Sequence, residues 1–146
     1  LKYHLFAGPV LAAIAMPAGA GEQAHTYHSE PSDADFSAAK AVSDPIMELV
    51  AAGSFDLAIA KIQESSPLLE EKQSDMAAVV AQARTGVQLY GPISQCILSS
   101  HTHTSKLRMT MRYVCQHEDL LLLWTLRTDS LPRGWSVTNV SFTDSF

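Results

Sequence analysis

Two short histidine pairs, two arginines and two cysteines are the residues whose types and spacing could do chemistry. His25-x-x-His28 and His101-x-His103 could supply metal ligands. The second pair has strand spacing, which puts both rings on one face, and imidazole suits zinc or copper. Neither pair has an acidic or cysteine ligand placed beside it, and the first lies in a polar stretch without a scaffold. We therefore read these histidines as solvated polar residues and assign no metal and no cofactor. Arg108 and Arg112 fall near His101 and His103. If one sheet face carries all four, they form a basic patch able to hold an anion, since arginine offers a bidentate fork. The alternative is the wet half of a sheet face. There is no G-x-S-x-G elbow, and the seven glycines are too scattered to cradle a phosphate. No catalytic residue is assigned.

The elements that must position these residues begin with an address. Lys2 and His4 precede an apolar run from Leu5 to Met16, and Pro17-Ala18-Gly19-Ala20 follows. A basic start, an apolar core of about a dozen residues and an Ala-x-Ala site have the layout of a secretory signal peptide. The run is shorter than the roughly 20 residues of a membrane span, and no later segment is long and apolar enough for one. Residues 1–20 therefore read as a signal peptide, which places the mature chain in the bacterial periplasm or outside the cell. The 146 residues carry a formal charge of −5, and cleavage would remove Lys2 and no acid. Such an acidic balance argues against a nucleic-acid partner, which calls for a basic excess. The 47% hydrophobic content suits one ordinary globular domain. Two cysteines are too few for a disulfide-built miniprotein or a four-cysteine zinc module.

Residues 21–35 are polar and read as a flexible leader, and residues 36–146 as one domain. Phe36, Ala39, Val42, Ile46 and Leu49 recur at helical spacing. Within that run Asp44-Pro45 fits a kink or a new helix capped by Asp44. Gly53 ends the segment, and Ser54 caps a second helix carrying Phe55, Ala58, Ile59 and Ile62. Ser66-Pro67 stops it. A third helix runs from about Glu70 to Tyr90, with the apolar stripe Met76, Val79, Val80, Ala83, Val87 and Tyr90, before the hard stop of Gly91-Pro92. The period then changes from helical to two. Strands are expected over Ile93 to Thr104, Leu107 to Gln116, Leu120 to Arg127 and Trp135 to Phe142. Helices first and a meander second predict an α+β fold, with N-terminal helices packed on one face of a curled four-stranded antiparallel sheet.

Turn positions suggest a register. With turns at Ser105-Lys106 and Glu118-Asp119, Leu98, Tyr113 and Trp124 line up across three strands, as do Ser100, Met111 and Leu126. Both rows would face the helices. Ile97, Val114 and Leu123 form a row on the opposite face, with Leu121 beside it. A one-residue slip would destroy all of these rows. The same register places Cys96 opposite Cys115, close enough for a disulfide in an oxidising compartment. The pair would fall in a hydrogen-bonded position, where bridging is more strained, unless a longer loop changes the pairing class. Two buried free thiols are the alternative.

Helices ending in Tyr90-Gly91, followed by a four-stranded meander whose last strand opens at Gly134-Trp135, resemble the nuclear-transport-factor-2-like, cystatin-like α+β roll. The chain is especially similar to small uncharacterised secreted bacterial members, over about Asp35 to Phe146. The resemblance implies a cone between helices and sheet, where enzymes of that superfamily place acid/base residues. No such pair can be matched here. Tyr113, Trp124, Met111 and Leu126 are the candidates to line a pocket in that cone.

Three functions follow as expectations. The first is a non-catalytic exported module that binds a partner or itself, most simply as a two-fold homodimer through Ile97, Val114, Leu121 and Leu123. Antiparallel sheets usually keep the face away from their helices polar, and an apolar row there marks a contact surface. The second is a small-molecule binder or pocket enzyme using the cone, and the third is metal handling by histidines. The address has its own test. Mass spectrometry of the protein from its native host is expected to find Gly21 at the N-terminus, and cytosolic protein with residues 1–20 intact would contradict it.

Overall fold

The computed structural model describes residues 29–146. Residues 1–20, read above as a signal peptide, residues 21–28 of the expected leader and, with them, His25 and His28 lie outside the described residues. Four helices precede four strands: α1 (Asp33–Ala51), α2 (Phe55–Ser65), α3 (Pro67–Glu70), α4 (Gln73–Tyr90), β1 (Gln95–Ser105), β2 (Arg108–Gln116), β3 (Leu121–Leu131) and β4 (Gly134–Thr143). The strands form one antiparallel sheet in the order β1-β2-β3-β4, and the helices pack on one of its faces. The expected α+β layout is therefore observed.

Helix α1 starts earlier than its apolar period suggests, so the leader ends before residue 33. Ser32 and Asp35 make a capping box: the Asp35 amide donates to Ser32 Oγ at 3.2 Å, and the Ser32 amide donates to Asp35 Oδ2 at 2.9 Å. The Ser32 backbone bond, then the side-chain bond, holds the Asp35 carboxyl below its usual range. Pro45 neither starts a new helix nor makes Asp44 a cap, because α1 runs through it. Proline has no N–H for the carbonyl four residues back, but Ile46, Met47 and Val50 beyond it are all buried. Tertiary packing holds the turn that the local bond does not. The Asp44 carboxylate instead pairs with Lys40 and accepts the Tyr113 hydroxyl at 2.8 Å. Burial, then this bond and the carboxylate's charge, raise the Tyr113 hydroxyl above its ordinary range.

A Schellman motif closes α1. The Gly53 amide donates to Val50 O at 2.9 Å and the Ser54 amide to Leu49 O at 2.9 Å, with Gly53 at φ 72°. Ser54 stands at the N-cap of α2, but its side chain makes no capping bond, which corrects the expected cap. The expected third helix is two elements, since Pro67 opens the single turn α3 and α4 begins only at Gln73. The expected apolar faces are otherwise the buried ones. Phe55, Ala58, Ile59 and Ile62 of α2 and Met76, Val80 and Ala83 of α4 enter the core.

The end of α4 is locked to the β2–β3 turn. Tyr90 O accepts the Asp119 amide at 3.1 Å, and Gly91 O lies 2.8 Å from His117 Nδ1. A carbonyl only accepts, so Nδ1 carries the hydrogen; the buried Nε2 has no partner among the described residues. Gly91 has φ 81°, and a Cβ there would meet Glu118 Oε2 at 2.7 Å. Both backbone and space demand glycine.

The β2–β3 register is as expected along its whole length: Tyr113 faces Trp124, Val114 faces Leu123 and Met111 faces Leu126. The β1–β2 register matches only from Gln95 to Leu98. A bulge at Ser99 then shifts it, so His101, not Ser100, faces Met111. A second irregularity at Thr104 moves the turn to Lys106-Leu107. Cys96 and Cys115 are joined, with Cα atoms 4.0 Å apart. That spacing is nearer the roughly 4.5 Å of a non-hydrogen-bonded pair than the roughly 5.5 Å of the hydrogen-bonded class expected from a tight turn at Ser105-Lys106. The displaced turn and the bulges remove that difficulty.

The bond ties an edge strand to the sheet across a sequence separation of 19. For a loop of that size the chain-entropy model gives about 3 kcal/mol. Reduction is expected to lower the melting temperature by on the order of 10 °C or more. Calorimetry with and without reductant checks this, and an unchanged transition would show that the bond contributes nothing.

Candidate functional site

Alternation along each strand sends every second side chain away from the helices. On β2 these are Arg108, Thr110, Arg112, Val114 and Gln116, and the pairing carries the face to β1 and β3. The apolar row on it is continuous. Ile97 faces Val114, Val114 faces Leu123, and Leu123 faces Thr143 on β4. Ile97 is 56% exposed and Leu121 46% exposed, while Val114 and Leu123 are half-buried by their neighbours. All helices with core contacts lie on the opposite face, so no described element covers this row.

Beyond the row, toward the β1–β2 turn, the face is polar and organised around Asp129. Arg108 Nε and Nη2 donate to its two carboxylate oxygens at 2.6 and 2.9 Å. Thr138 Oγ1 donates to Oδ2 at 2.8 Å, and Arg127 Nε lies 3.3 Å from Thr138 Oγ1. Thr138 reaches this face because a bulge in β4 shifts the β3–β4 register there. The Arg108 bond holds the Asp129 carboxyl below its usual range, against the opposing effect of burial. The sequence reading missed this centre because it ended β3 at Arg127. The signal was present, since counting outward from the Glu118-Asp119 turn already puts Arg108 opposite Asp129. On the other side of the row lie Gln95, Gln116 and Leu121, and then the turn that carries the exposed Glu118 and Asp119.

The bulge at Ser99 separates the four residues of the expected basic patch. His101 and His103 pair with Met111 and Met109 and so share the helix-side face, whereas Arg108 and Arg112 lie on the other. Each histidine has a neighbour at or just before the start of α1. The His101 ring lies 4.5 Å from that of Phe36, and His103 Nε2 is 2.8 Å from Glu30 Oε2. Arg108 is taken by Asp129, which leaves Arg112 without an ion pair among the described residues. No group of three metal-ligating side chains is assembled among the described residues.

The expected cone is filled. Met111 and Leu126 are wholly buried, and Tyr113 and Trp124 are each 3% exposed. Trp124 stacks on Phe142 with ring centroids 4.6 Å apart, and its ring lies parallel to that of Phe55 at 6.3 Å. A cavity between the helices and Trp124 is about 10 Å³, lined only by apolar side chains such as Ile46, Val50, Ile59 and Val80. That is at the lower limit for one water. The four residues read as pocket lining are core.

The fold and the outer face define an α+β sheet module, with one side packed by helices and the other carrying an apolar row beside a polar region that bears Arg108, Arg112 and Arg127. Comparisons with protein-family models, curated proteins and solved structures each find no match. No described helix is long and apolar enough to cross a membrane.

The Asp129 centre has a pH signature. A carboxyl whose folded pKa is depressed contributes stability that is present above its unfolded value, near 3.8, and lost as pH falls through the folded value. Asp129→Asn is therefore expected to cost about 1 kcal/mol at neutral pH, a modest figure because Arg108 is half-exposed. It should also flatten the loss of stability below about pH 4. Denaturant titrations of both proteins from pH 7 to pH 2 check this; parallel curves would contradict it.

Proposed function

We propose that this protein is an exported, non-catalytic module that associates through the outer face of its sheet, in the periplasm or beyond the cell, and that its fold is the nuclear-transport-factor-2-like roll. The order of helices and meander strands supports the fold assignment, and the N-terminal sequence supports export. One observation carries the functional reading. A continuous apolar row, Ile97–Val114–Leu123 with Leu121 beside it, lies on the face that no described helix covers. A contiguous apolar row on the sheet face away from the helices, where polar residues are usual, supports a covering partner. Two of the four are already half-buried, so the gain from covering them is a few kcal/mol per partner, before association costs. The complex is accordingly expected to be weak and concentration-dependent, with two copies of the chain as its simplest form.

Sedimentation velocity across a wide concentration range tests the reading. The protein with residues 1–20 removed is expected to dimerise as concentration rises. Leu123→Arg and Ile97→Lys should each abolish the dimer and shift folding stability by less than about 1 kcal/mol. Ile97 is the more exposed of the two, so its variant separates loss of association from loss of folding. A wild-type protein that stays monomeric at the highest concentrations would end the self-association reading.

A further inference from the structure

We propose that the free edge of β1 takes up an extended segment of another protein as a fifth strand. An apolar side chain of that segment and, two residues later, a lysine or arginine enter the groove between β1 and α1. This surface is the edge of the sheet and not its outer face, so the inference goes beyond the association proposed above.

The two edges of the sheet are β1 and β4. Helices α1, α2 and α3 all pack against β4, whereas α1 supplies the helix contact of β1. Exposed edge strands are usually blunted by proline or charge. Over its eleven residues β1 has no proline and no Asp, Glu, Lys or Arg. Phe36, near the start of α1, meets His101, and further along α1 Met47, Glu48 and Ala51 line a groove with Cys96 and Leu98. Helix numbers rise as strand numbers fall, so α1 and β1 run antiparallel, side by side. The groove between them encloses about 340 Å³, which gives partner side chains room to enter. A helix beside a free strand edge is the arrangement that strand addition uses: main-chain bonds hold the peptide, and alternate side chains give specificity.

The backbone fixes which groups are offered. Cys96 and Cys115, with Cα atoms 4.0 Å apart, have the spacing of a non-hydrogen-bonded pair. In such a pair the N–H and C=O groups point away from the partner strand, here to the free edge. The pattern repeats every second residue, so Leu98, opposite Tyr113 and ahead of the Ser99 bulge, does the same. An antiparallel partner strand therefore bonds to Cys96 and Leu98, and its two residues opposite them, two apart, point to the helix side. The disulfide holds this wall of the groove to β2. The two positions differ in charge. Beside Leu98, the Tyr113 hydroxyl donates to Asp44, which is also paired with Lys40, so that end is neutral. Glu48 lies one helical turn on, toward the Cys96 end. It is exposed and has no ion pair among the described residues. The partner residue opposite Leu98 is thus apolar, against Met47 and Leu98, and the one opposite Cys96 carries a positive charge for Glu48.

Fluorescence polarisation with a labelled Ser-Thr-Val-Thr-Lys-Thr peptide and the purified chain tests this. N-methylation of the valine or lysine nitrogen removes a bond to the edge and is expected to weaken binding roughly tenfold. N-methylation of the threonine between them, whose N–H points to solvent, should change little. Leu98→Pro removes an outward donor without costing the β1–β2 ladder a bond, and should weaken binding by a similar factor. The methylated peptides leave the protein untouched, so the test survives if Leu98→Pro unsettles the fold. Wild type is expected to prefer the lysine peptide over its glutamate counterpart by roughly threefold or more at low salt, and Glu48→Lys to reverse that order. Leu123→Arg, outside the groove, should bind the peptide as wild type does. No binding at millimolar peptide, losses that ignore the alternation, or a charge preference that Glu48→Lys leaves unchanged overturns the proposal. Binding that appears only after residues 1–28 are removed assigns the edge to this chain's own N-terminal segment. A dimer retained in Leu123→Arg but lost in Leu98→Pro assigns it to a second copy. Either result overturns an outside partner.

Discussion

Every assignment of a side chain to the core or to the outer face depends on the pairing of β2 with β3. Tyr113 stands opposite Trp124 and Val114 opposite Leu123, without irregularity, from Arg108 to Gln116. Because side chains alternate, a slip of one residue would send Met109, Met111, Tyr113 and Cys115 to the outer face and bring Arg108 and Arg112 into the core. Burying those guanidiniums without partners would be prohibitive. The register is therefore set by the whole alternation, and no single hydrogen bond could shift it. The core, the Asp129 centre and the apolar row are three consequences of this one pairing.

Around that rigid pair the edge strands adapt through bulges. In β1, the irregularity at Ser99 turns His101 and His103 toward the helix side, where Phe36 and Glu30 meet them. In β4, the irregularity between Arg127 and Thr128 delivers Thr138 to the Asp129 carboxylate. A bulge re-aims one side chain without disturbing the strands beyond it. The disulfide joins β1 to β2 on the far side of Ser99 from the turn, where the register has the value the cysteines require. The bond and the bulge are thus complementary: one holds the strand ends in register while the other lets the rest of the edge follow the chain entering α1.

Helix α1 shows the same division between local preference and tertiary demand. Locally, Asp44-Pro45 reads as the start of a helix, since aspartate caps well and proline suits the first turn. The buried residues on both sides of it, Ala39, Ser43, Ile46, Met47 and Val50, instead need one continuous helix across the sheet. Asp44 is then free to act as a side chain. It joins Lys40 on its own helix to the Tyr113 hydroxyl, a polar link at the margin of an otherwise apolar interface.

The sequence by itself determined the α+β class, the four strands and their antiparallel order, the central register, the helix faces of α2 and α4 and the pairing of Cys96 with Cys115. Each of these follows from a periodicity sustained over many residues, and such patterns average out local exceptions. It also placed Ile97, Val114, Leu121 and Leu123 together, because that row depends only on register. What the tertiary structure decided were the points where one residue breaks a period. The Ser99 bulge separated two histidines from two arginines, and packing carried α1 through Pro45. The extension of β3 past Arg127 created the Asp129 centre, and the volumes of Trp124, Phe142 and the helix side chains filled the space a pocket would have occupied. A bulge costs little locally and leaves no repeating mark in the sequence. Whether large side chains fill an interior or only line it depends on the distance between helices and sheet, a quantity no single strand or helix encodes.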